Sequence, residues 1–306
     1  VAAGEVPGRA AKTQRREGPY HLITALDDPR TRVPVPERRY IARSGDGQHT
    51  VLLSLPLSGS DPRPFLTEAD ASRYLLGPCA LPATALAGPD EPAWCSRPYL
   101  PALPLPTALA VHGGPLPERT VRALGVALAE TLAVVHGQGL TFAGVSPAAV
   151  LLAADGPRLS CFGAVRAAAP DGASRSGLPG LEPGSLPPEQ ASGGRPQPLG
   201  DVYALGATLA YAATGYTTPE RDELPAAFRA VIARCLSRDP GNRPQPAELI
   251  DALGGDTGTE SRATAHGRLP GRVIAALAHQ SAAVLMAEIP HEAAPASPAD
   301  PIPHSN

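Results

Sequence analysis

The spacing of apolar positions changes partway along this 306-residue chain. Up to about residue 100 they fall in short runs that lean toward β structure: Gly18-Pro-Tyr-His-Leu-Ile-Thr-Ala-Leu26, Tyr40-Ile-Ala-Arg43 and Thr50-Val-Leu-Leu-Ser-Leu55. Ser44-Gly-Asp-Gly47 joins the second and third as a turn. Residues 64–76 predict a helix that buries Phe65, Ala69 and Tyr74, and the proline-rich segment 78–106 holds a short strand near Trp94-Cys95. From residue 117 the period is helical. Val121, Leu124, Leu128, Leu132 and Val135 recur every three or four residues through Pro117–Gln138, one apolar stripe closed by Gly137 and Gly139. Val150–Leu152 and Arg158–Ser160 flank Asp155-Gly156 as a hairpin, and further helices are expected at 201–214, 226–235 and 246–253. The segments 166–186 and 254–267 read as loops. Gly271–Glu288 predicts a last amphipathic helix, with Val273, Ile274, Leu277, Ala283 and Leu285 docking on the large lobe or on a partner.

These elements divide the chain into a tail (1–17), a small strand-rich lobe (18–100), a larger helical lobe (101–253), a loop and helix (254–289) and a disordered proline-rich tail (290–306), an α+β architecture. A hydrophobic content of 43% suits a globular chain, and a net charge of −3 gives no footprint for nucleic acid or an anionic membrane. No run of about 18 apolar residues predicts a membrane span, and the N-terminal stretch has no signal-peptide core. The four cysteines form no CxxC pair, which argues against zinc or a disulfide framework and for reduced thiols in the cytoplasm. The eight histidines have no metal-ligand spacing, and His136 reads as a fold residue at a helix end. Lys12 is the one lysine, so none lies within the folded lobes to hold a phosphate.

Several short stretches follow in a fixed order. Val135-His136-x-x-Gly139-Leu140 precedes a loop, Leu151-Leu152 follows it, and then come Phe162-Gly163 and Pro187-Pro-Glu-Gln190. Asp201-Val-Tyr-Ala-Leu-Gly206 and Arg234-Cys-Leu-Ser-Arg-Asp-Pro-Gly-Asn-Arg-Pro244 complete the series. In this order the chain resembles the bacterial, eukaryotic-like Ser/Thr protein kinases over roughly 18–253, most clearly in the large lobe. The resemblance implies a bilobal kinase-like fold. It also implies a buried Glu189–Arg243 ion pair, an Asp201 that bonds the backbone of the 141–149 loop, and a Gly206 that lets helices pack closely.

The same resemblance shows what is replaced. Against the H-R-D-x-K-P-x-N loop the chain reads Phe142-Ala-Gly-Val-Ser-Pro-Ala-Ala149. Gly144 stands at the base position, Ser146 at the lysine, Ala149 at the metal-binding asparagine and Cys161 at the aspartate of D-F-G. Ser54 falls on the phosphate lysine of the V-A-I-K strand, leaving Glu68 without that cation, to bond an arginine instead or, as expected, to face water. Leu26-Asp-Asp-Pro29 replaces the glycine loop, and two carboxylates there would repel a triphosphate. Arg97 falls where access to the back pocket is controlled, with the Leu100 N–H free to meet a purine. Ala143 replaces the arginine that reads a loop phosphate, so Ser174, Ser176 and Ser185 make a doubtful switch; Arg175 and the other loop charges are read as solvated. Phosphoryl transfer is mostly charge placement. The expectation is therefore a catalytically inactive pseudokinase, a scaffold or allosteric regulator that binds another protein, such as an active kinase or a biosynthetic enzyme. No metal or cofactor is expected, and Mg-ATP binding is not. The alternatives are a divergent ATP-dependent kinase or nucleotidyl transferase with relocated groups, for which Asp155, Asp171 and Glu68 are the acids at hand, and a small-ligand sensor using the altered cleft.

Overall fold

The computed structural model describes residues 15–254 and 269–287. Most of the loop expected at 254–267, residues 1–14 of the first tail and the tail at 290–306 lie outside them.

Six strands form the antiparallel small-lobe sheet: β1 (Arg16–Glu17), β2 (Tyr20–Ala25), β3 (Glu37–Ser44), β4 (Thr50–Pro56), β5 (Ala85–Leu86) and β6 (Cys95–Pro98). Their order is β1-β2-β3-β4-β6-β5. Alternation in β3 and β4 sorts residues to two faces. Ile41 and Leu52 meet Leu151 and Ala153 of the large lobe, whereas Ala42, Leu53 and Leu55 pack with Trp94 on the other side. By the same alternation Glu37 and Arg39 share the face of Ile41, and Ser54 shares that of Leu52. Arg39 is directly opposite Ser54, and Arg97 opposite Leu52. Helix α1 (Pro62–Ser72) follows, begun by the Asp61 carboxylate accepting from the Arg63 N–H and by a proline in its first turn. It ends sooner than predicted, which leaves Tyr74 75% exposed while Ala69 is buried.

The proline-rich stretch after β6 contains more structure than the pattern suggested. It forms β7 (Ala102–Pro104) and α2 (Leu105–His112), with Pro106 in the first helical turn, where no hydrogen bond is lost. The central helix α3 (Glu118–Gly137) packs against α6 (Pro198–Thr214) and α8 (Pro246–Gly254). Among the described residues it is the one helix long and apolar enough to cross a membrane, and its stripe from Val121 to Val135 is buried in this core. Strand β8 (Val150–Ala153) pairs with β7 on one side and with β9 (Gly156–Leu159) on the other, below the cleft. The short α4 (Ala164–Ala168) runs into the segment read as a loop, which is followed by α5 (Pro188–Ala191); α7 (Ala226–Cys235) lies against α6.

Helix α9 (Gly271–Leu285) runs along the joint between the lobes. Val273 and Leu277 are buried with the large-lobe core and Val284 with the interlobe cluster, but Ile274 and Leu285 are exposed. Ala283 is exposed as well, so three of the five predicted docking residues face away.

Candidate functional site

The cleft floor is built from two loops stitched backbone to backbone. Asp201, at the start of α6, accepts the Phe142 and Ala143 N–H groups at 2.7 Å each, and its Oδ2 lies 2.9 Å from His136 Nε2. Gly163 N donates to Phe142 O and Val165 N to Ala143 O. Phe142 and Phe162 meet edge to face, with centroids 5.5 Å apart. Ala143 and Cys161 are the two described non-glycine residues with positive φ, at 50° and 63°. Backbone strain of this kind gathers where a site needs a particular aim. Gly144 sits between them, and a Cβ there would lie 1.9 Å from the Cys161 carbonyl oxygen. Ser146 and Ala149 are buried beside it, with Ala149 N accepted by Ser146 O at 3.0 Å.

Above this floor lies a buried charged cluster. Ser54 Oγ donates to Glu37 Oε1 at 3.0 Å and receives Arg97 Nη1 at 2.7 Å. Arg97 Nη1 is also 3.5 Å from Glu37 Oε1, and the Cys161 thiol donates to that oxygen at 3.5 Å. Arg39 donates to Ser160 Oγ at 3.1 Å and to both oxygens of Asp27, through Nε at 2.9 Å and through Nη2. Burial alone would lower the arginines, but their anionic and thiol neighbours, Asp27 first and then Cys161 and Glu37 for Arg39, and Cys95 and then Glu37 for Arg97, hold both above the ordinary value and charged. The same burial, with Glu37 near, pushes the Cys161 thiol up to about 12. The Nε of Arg97 is buried without a partner, an unspent donor in the cleft.

Glu68 has a cation after all. Arg166 of α4 grips both of its oxygens, at 2.8 and 2.6 Å, and lies over the Phe162 ring. Of the other acids considered, Asp155 pairs with Arg158 and Asp171 with Arg175. Arg175 corrects the reading of the loop charges as solvated. Its side chain is fully buried and donates to the carbonyls of Ala169, Gln190 and Gly194, because the loop curls around it. Arg243 donates to Glu189 at 2.6 and 2.9 Å and stacks over Tyr203. A Cβ on Gly206 would come within 2.3 Å of the Cys235 Cβ, so α6 and α7 touch there. Leu100 is half-buried against the interlobe cluster.

Next to Gly144 an open pocket is lined by Ser146, Val165, Gly180, Glu182 and Leu186, with Pro36 from the small lobe. Glu182 is half-buried, its Oε1 accepting from Thr217 Oγ1 at 3.0 Å and from Gly184 N. The candidate site residues missed in the sequence are thus Glu37, Arg39, Arg166 and Glu182. For the first two a signal existed: in Glu-Arg-Arg-Tyr-Ile, positions 37, 39 and 41 share one face of a strand.

The residues present suit an anion better than a divalent metal. Two buried guanidiniums can grip phosphate oxygens. Among the described residues no three of His, Cys, Asp and Glu gather to hold a metal, and a neutral thiol is a poor magnesium ligand.

No protein-family model matches the chain. It is 30% identical over 262 residues to the probable serine/threonine-protein kinase PkwA of Thermomonospora curvata, covering 79% of this chain and 34% of that protein. It is 28% identical over 263 residues to the serine/threonine-protein kinase AfsK of Streptomyces coelicolor, covering 77% and 32%. The chain therefore spans about a third of the length of these relatives. In structure it matches the kinase domain of Mycobacterium tuberculosis PknI with a TM-score of 0.59 at 20% identity, over 81% of this chain and 100% of that one. These findings overturn the expectation of a chain that is not an enzyme, since relative after relative is a kinase. The expectation had counted charge at motif positions only; two further arginines, Arg97 and Arg39, lie beside Ser54 and Ser160 on other strands of the same sheet.

Proposed function

Because the chain is a homologue of the bacterial Ser/Thr protein kinases and carries the protein-kinase fold, we propose that it is a divergent ATP-dependent Ser/Thr protein kinase with relocated charges. One observation carries this reading: Arg97 Nη1 lies 2.7 Å from Ser54 Oγ, so a guanidinium stands where the side chain at position 54 would otherwise bring its own cation. Arginine stays charged under any physiological condition and meets phosphate with a planar fork. Glu37 orients Arg97, and Arg39 adds a second cation beside Ser160 and Cys161.

When bound, ATP supplies the phosphoryl group and its leaving group. This chain's part is to hold and neutralise the phosphates with Arg97 and Arg39 and to seat the acceptor in the pocket between Gly144 and Gly180-Leu-Glu182. Glu182, fixed by Thr217 and Gly184, is the carboxylate available there to orient an acceptor hydroxyl. The transition state for this reaction is loose and asks more for positioning than for a strong base. The residues do not fit a magnesium pair, so no step is assigned to a metal. The partner is a second protein bearing the acceptor serine or threonine. Four free, buried thiols suit a reducing, cytoplasmic setting.

The test is transfer of label from γ-radiolabelled ATP to generic acceptor proteins, with and without divalent cations. Incorporation above a protein-free blank is expected, falling about tenfold or more in Arg97→Gln. Incorporation equal to the blank under every condition overturns the reading.

A further inference from the structure

The loop after the first long strand puts a carboxylate into the cleft. Leu26 N donates to Arg39 O, which pins the start of the loop to β3. Asp27 follows and turns inward onto the Arg39 guanidinium, binding it through both oxygens. Its neighbour Asp28 turns the other way, accepting from the backbone and side chain of Arg30 in a local turn. Two adjacent aspartates thus have opposite environments.

The pair is lopsided. The Arg39 side chain is 3% exposed and that of Asp27 20%. The arginine is part of the interior, while the carboxylate reaches it from the solvent side. With Asp27 in place, Arg39 and Arg97 are balanced by Asp27 and Glu37. With Asp27 swung out, the cleft keeps one uncompensated buried cation, which is costly unless another anion enters. A carboxylate and a phosphate can each offer two oxygens to a guanidinium fork.

We propose that Arg39 is the seat for a nucleotide phosphate and that Asp27 is its tethered occupant, an autoinhibitory contact that an incoming polyphosphate must displace. This rests on the reading of the cleft as a nucleotide site. The far end of the same loop supports it. Val35 and Pro36 lie against Gly180, where a Cβ would come within 2.7 Å of Pro36 Cα, so the loop that carries Asp27 also touches the wall of the acceptor pocket. Displacing Asp27 would loosen that wall as the phosphate enters.

The experiment is titration calorimetry of the whole chain with inorganic tripolyphosphate and with ATP, without and with magnesium, for the unchanged protein, Asp27→Asn and Asp28→Asn. Asp27→Asn is expected to bind tripolyphosphate at least about tenfold tighter than the unchanged chain, the size of one charge-assisted contact. Asp28→Asn is expected to match the unchanged chain, and adding Arg39→Gln to Asp27→Asn should abolish the gain. If Asp27→Asn unfolds at the working temperature, Asp27→Ser is titrated in its place. Binding by the Asp27 variant no tighter than by Asp28→Asn overturns the proposal. A gain in tripolyphosphate affinity without label transfer keeps the contact and removes the kinase reading; transfer by the unchanged chain without any gain does the reverse.

Discussion

Gly144 and Cys161 touch through their backbones: a Cβ on Gly144 would sit 1.9 Å from the Cys161 carbonyl oxygen, far inside any real contact. That carbonyl is itself fixed, accepting the Ala164 N–H at 3.2 Å. The glycine is therefore required by the way the two loops close, and a side chain cannot simply be returned to this position. Gly144→Ala should cost about 1–3 kcal/mol through overpacking. Gly144→Asp should cost at least as much and leave label transfer no higher. Thermal melting and the transfer assay on both variants check this, and an aspartate variant with unchanged melting and faster transfer would refute it.

The Glu189–Arg243 pair predicts a pH effect with a definite sign. Burial alone would raise the Glu189 carboxyl, but the hydrogen bonds from Arg243 outweigh it and hold the group below its ordinary value. A carboxylate depressed in the folded state contributes stability above its unfolded value, and that contribution is lost as pH falls through the folded one. The loss should begin near the ordinary glutamate value of 4.5 and grow below it. Glu189→Gln should flatten this limb of a stability–pH profile. Glu189 is 29% exposed, so the pair is buried only on the arginine side. Arg243→Ala, which removes a fully buried side chain but leaves a carboxylate that water can reach, should cost less in denaturant unfolding than the roughly 3–5 kcal/mol of a fully buried pair.

How far this site could be read from the chain depended on the kind of signal each residue leaves. Asp201 meets the 141–149 backbone at a place the ordered motifs had marked, and helix α7 follows the apolar spacing from Ala226 to Cys235. Glu37 and Arg39 were passed over because the strand was taken to start at Tyr40, and a hydrophobic pattern does not register a charge buried by pairing. Arg166 and Arg175 were missed for another reason. They sit in glycine- and proline-rich sequence, where partners are set by how the loop curls and not by any period. The partner of Arg166, Glu68, is 98 residues away.

Arg175 turns that last point into a measurement. Its guanidinium ties carbonyls at Ala169, Gln190 and Gly194, so one side chain holds both ends of the long segment without a phosphate. Arg175→Met keeps the bulk and removes the donors. Hydrogen bonds from a charged group are worth about 1.5–3 kcal/mol each, and the freed carbonyls can turn to water, so only part of the sum should appear. The expected outcome is faster limited proteolysis between residues 169 and 194 while the rest of the chain is cut at its usual rate. Unchanged cleavage there would show that the loop holds itself.

The thiols give a prediction that needs no variant. All four cysteines are buried. Burial pushes Cys95 up to about 11 and Cys161 and Cys235 up to about 12, and raises Cys79 as well. Only the thiolate reacts with an alkylating or disulfide reagent. At pH 8 the native chain should therefore show almost no reactive thiol with Ellman's reagent, and denaturation should release all four. If Asp27 is displaced by polyphosphate and the cleft opens, Cys161 is the thiol whose labelling should rise, as it faces Glu37 in the cluster that would be exposed.

Helix α9 is tied to the large lobe at the joint through one amide. Gln280 Nε2 donates to Ala102 O and its Oε1 accepts Ala102 N, both at 3.0 Å, closing a strand-like pair on the backbone at the joint. Arg43 of β3 reaches the last turn of the same helix, donating to Val284 O and to Ala287 O at 3.1 Å. The helix is thereby fixed to the large lobe at one end and to the small-lobe sheet at the other. Ala102 is fully buried, so Gln280→Ala strands a donor and an acceptor that water reaches poorly, at about 1–3 kcal/mol each. A fall in melting temperature is expected, together with faster hydrogen exchange at residues 99–104. Gln280→Glu separates bonding from packing: it keeps the shape and the acceptor for Ala102 N but points a second acceptor at Ala102 O. It should destabilise the joint nearly as much as the alanine. A glutamate variant as stable as the unchanged chain would mean that the buried faces of Val273, Leu277 and Val284 hold the helix without the amide.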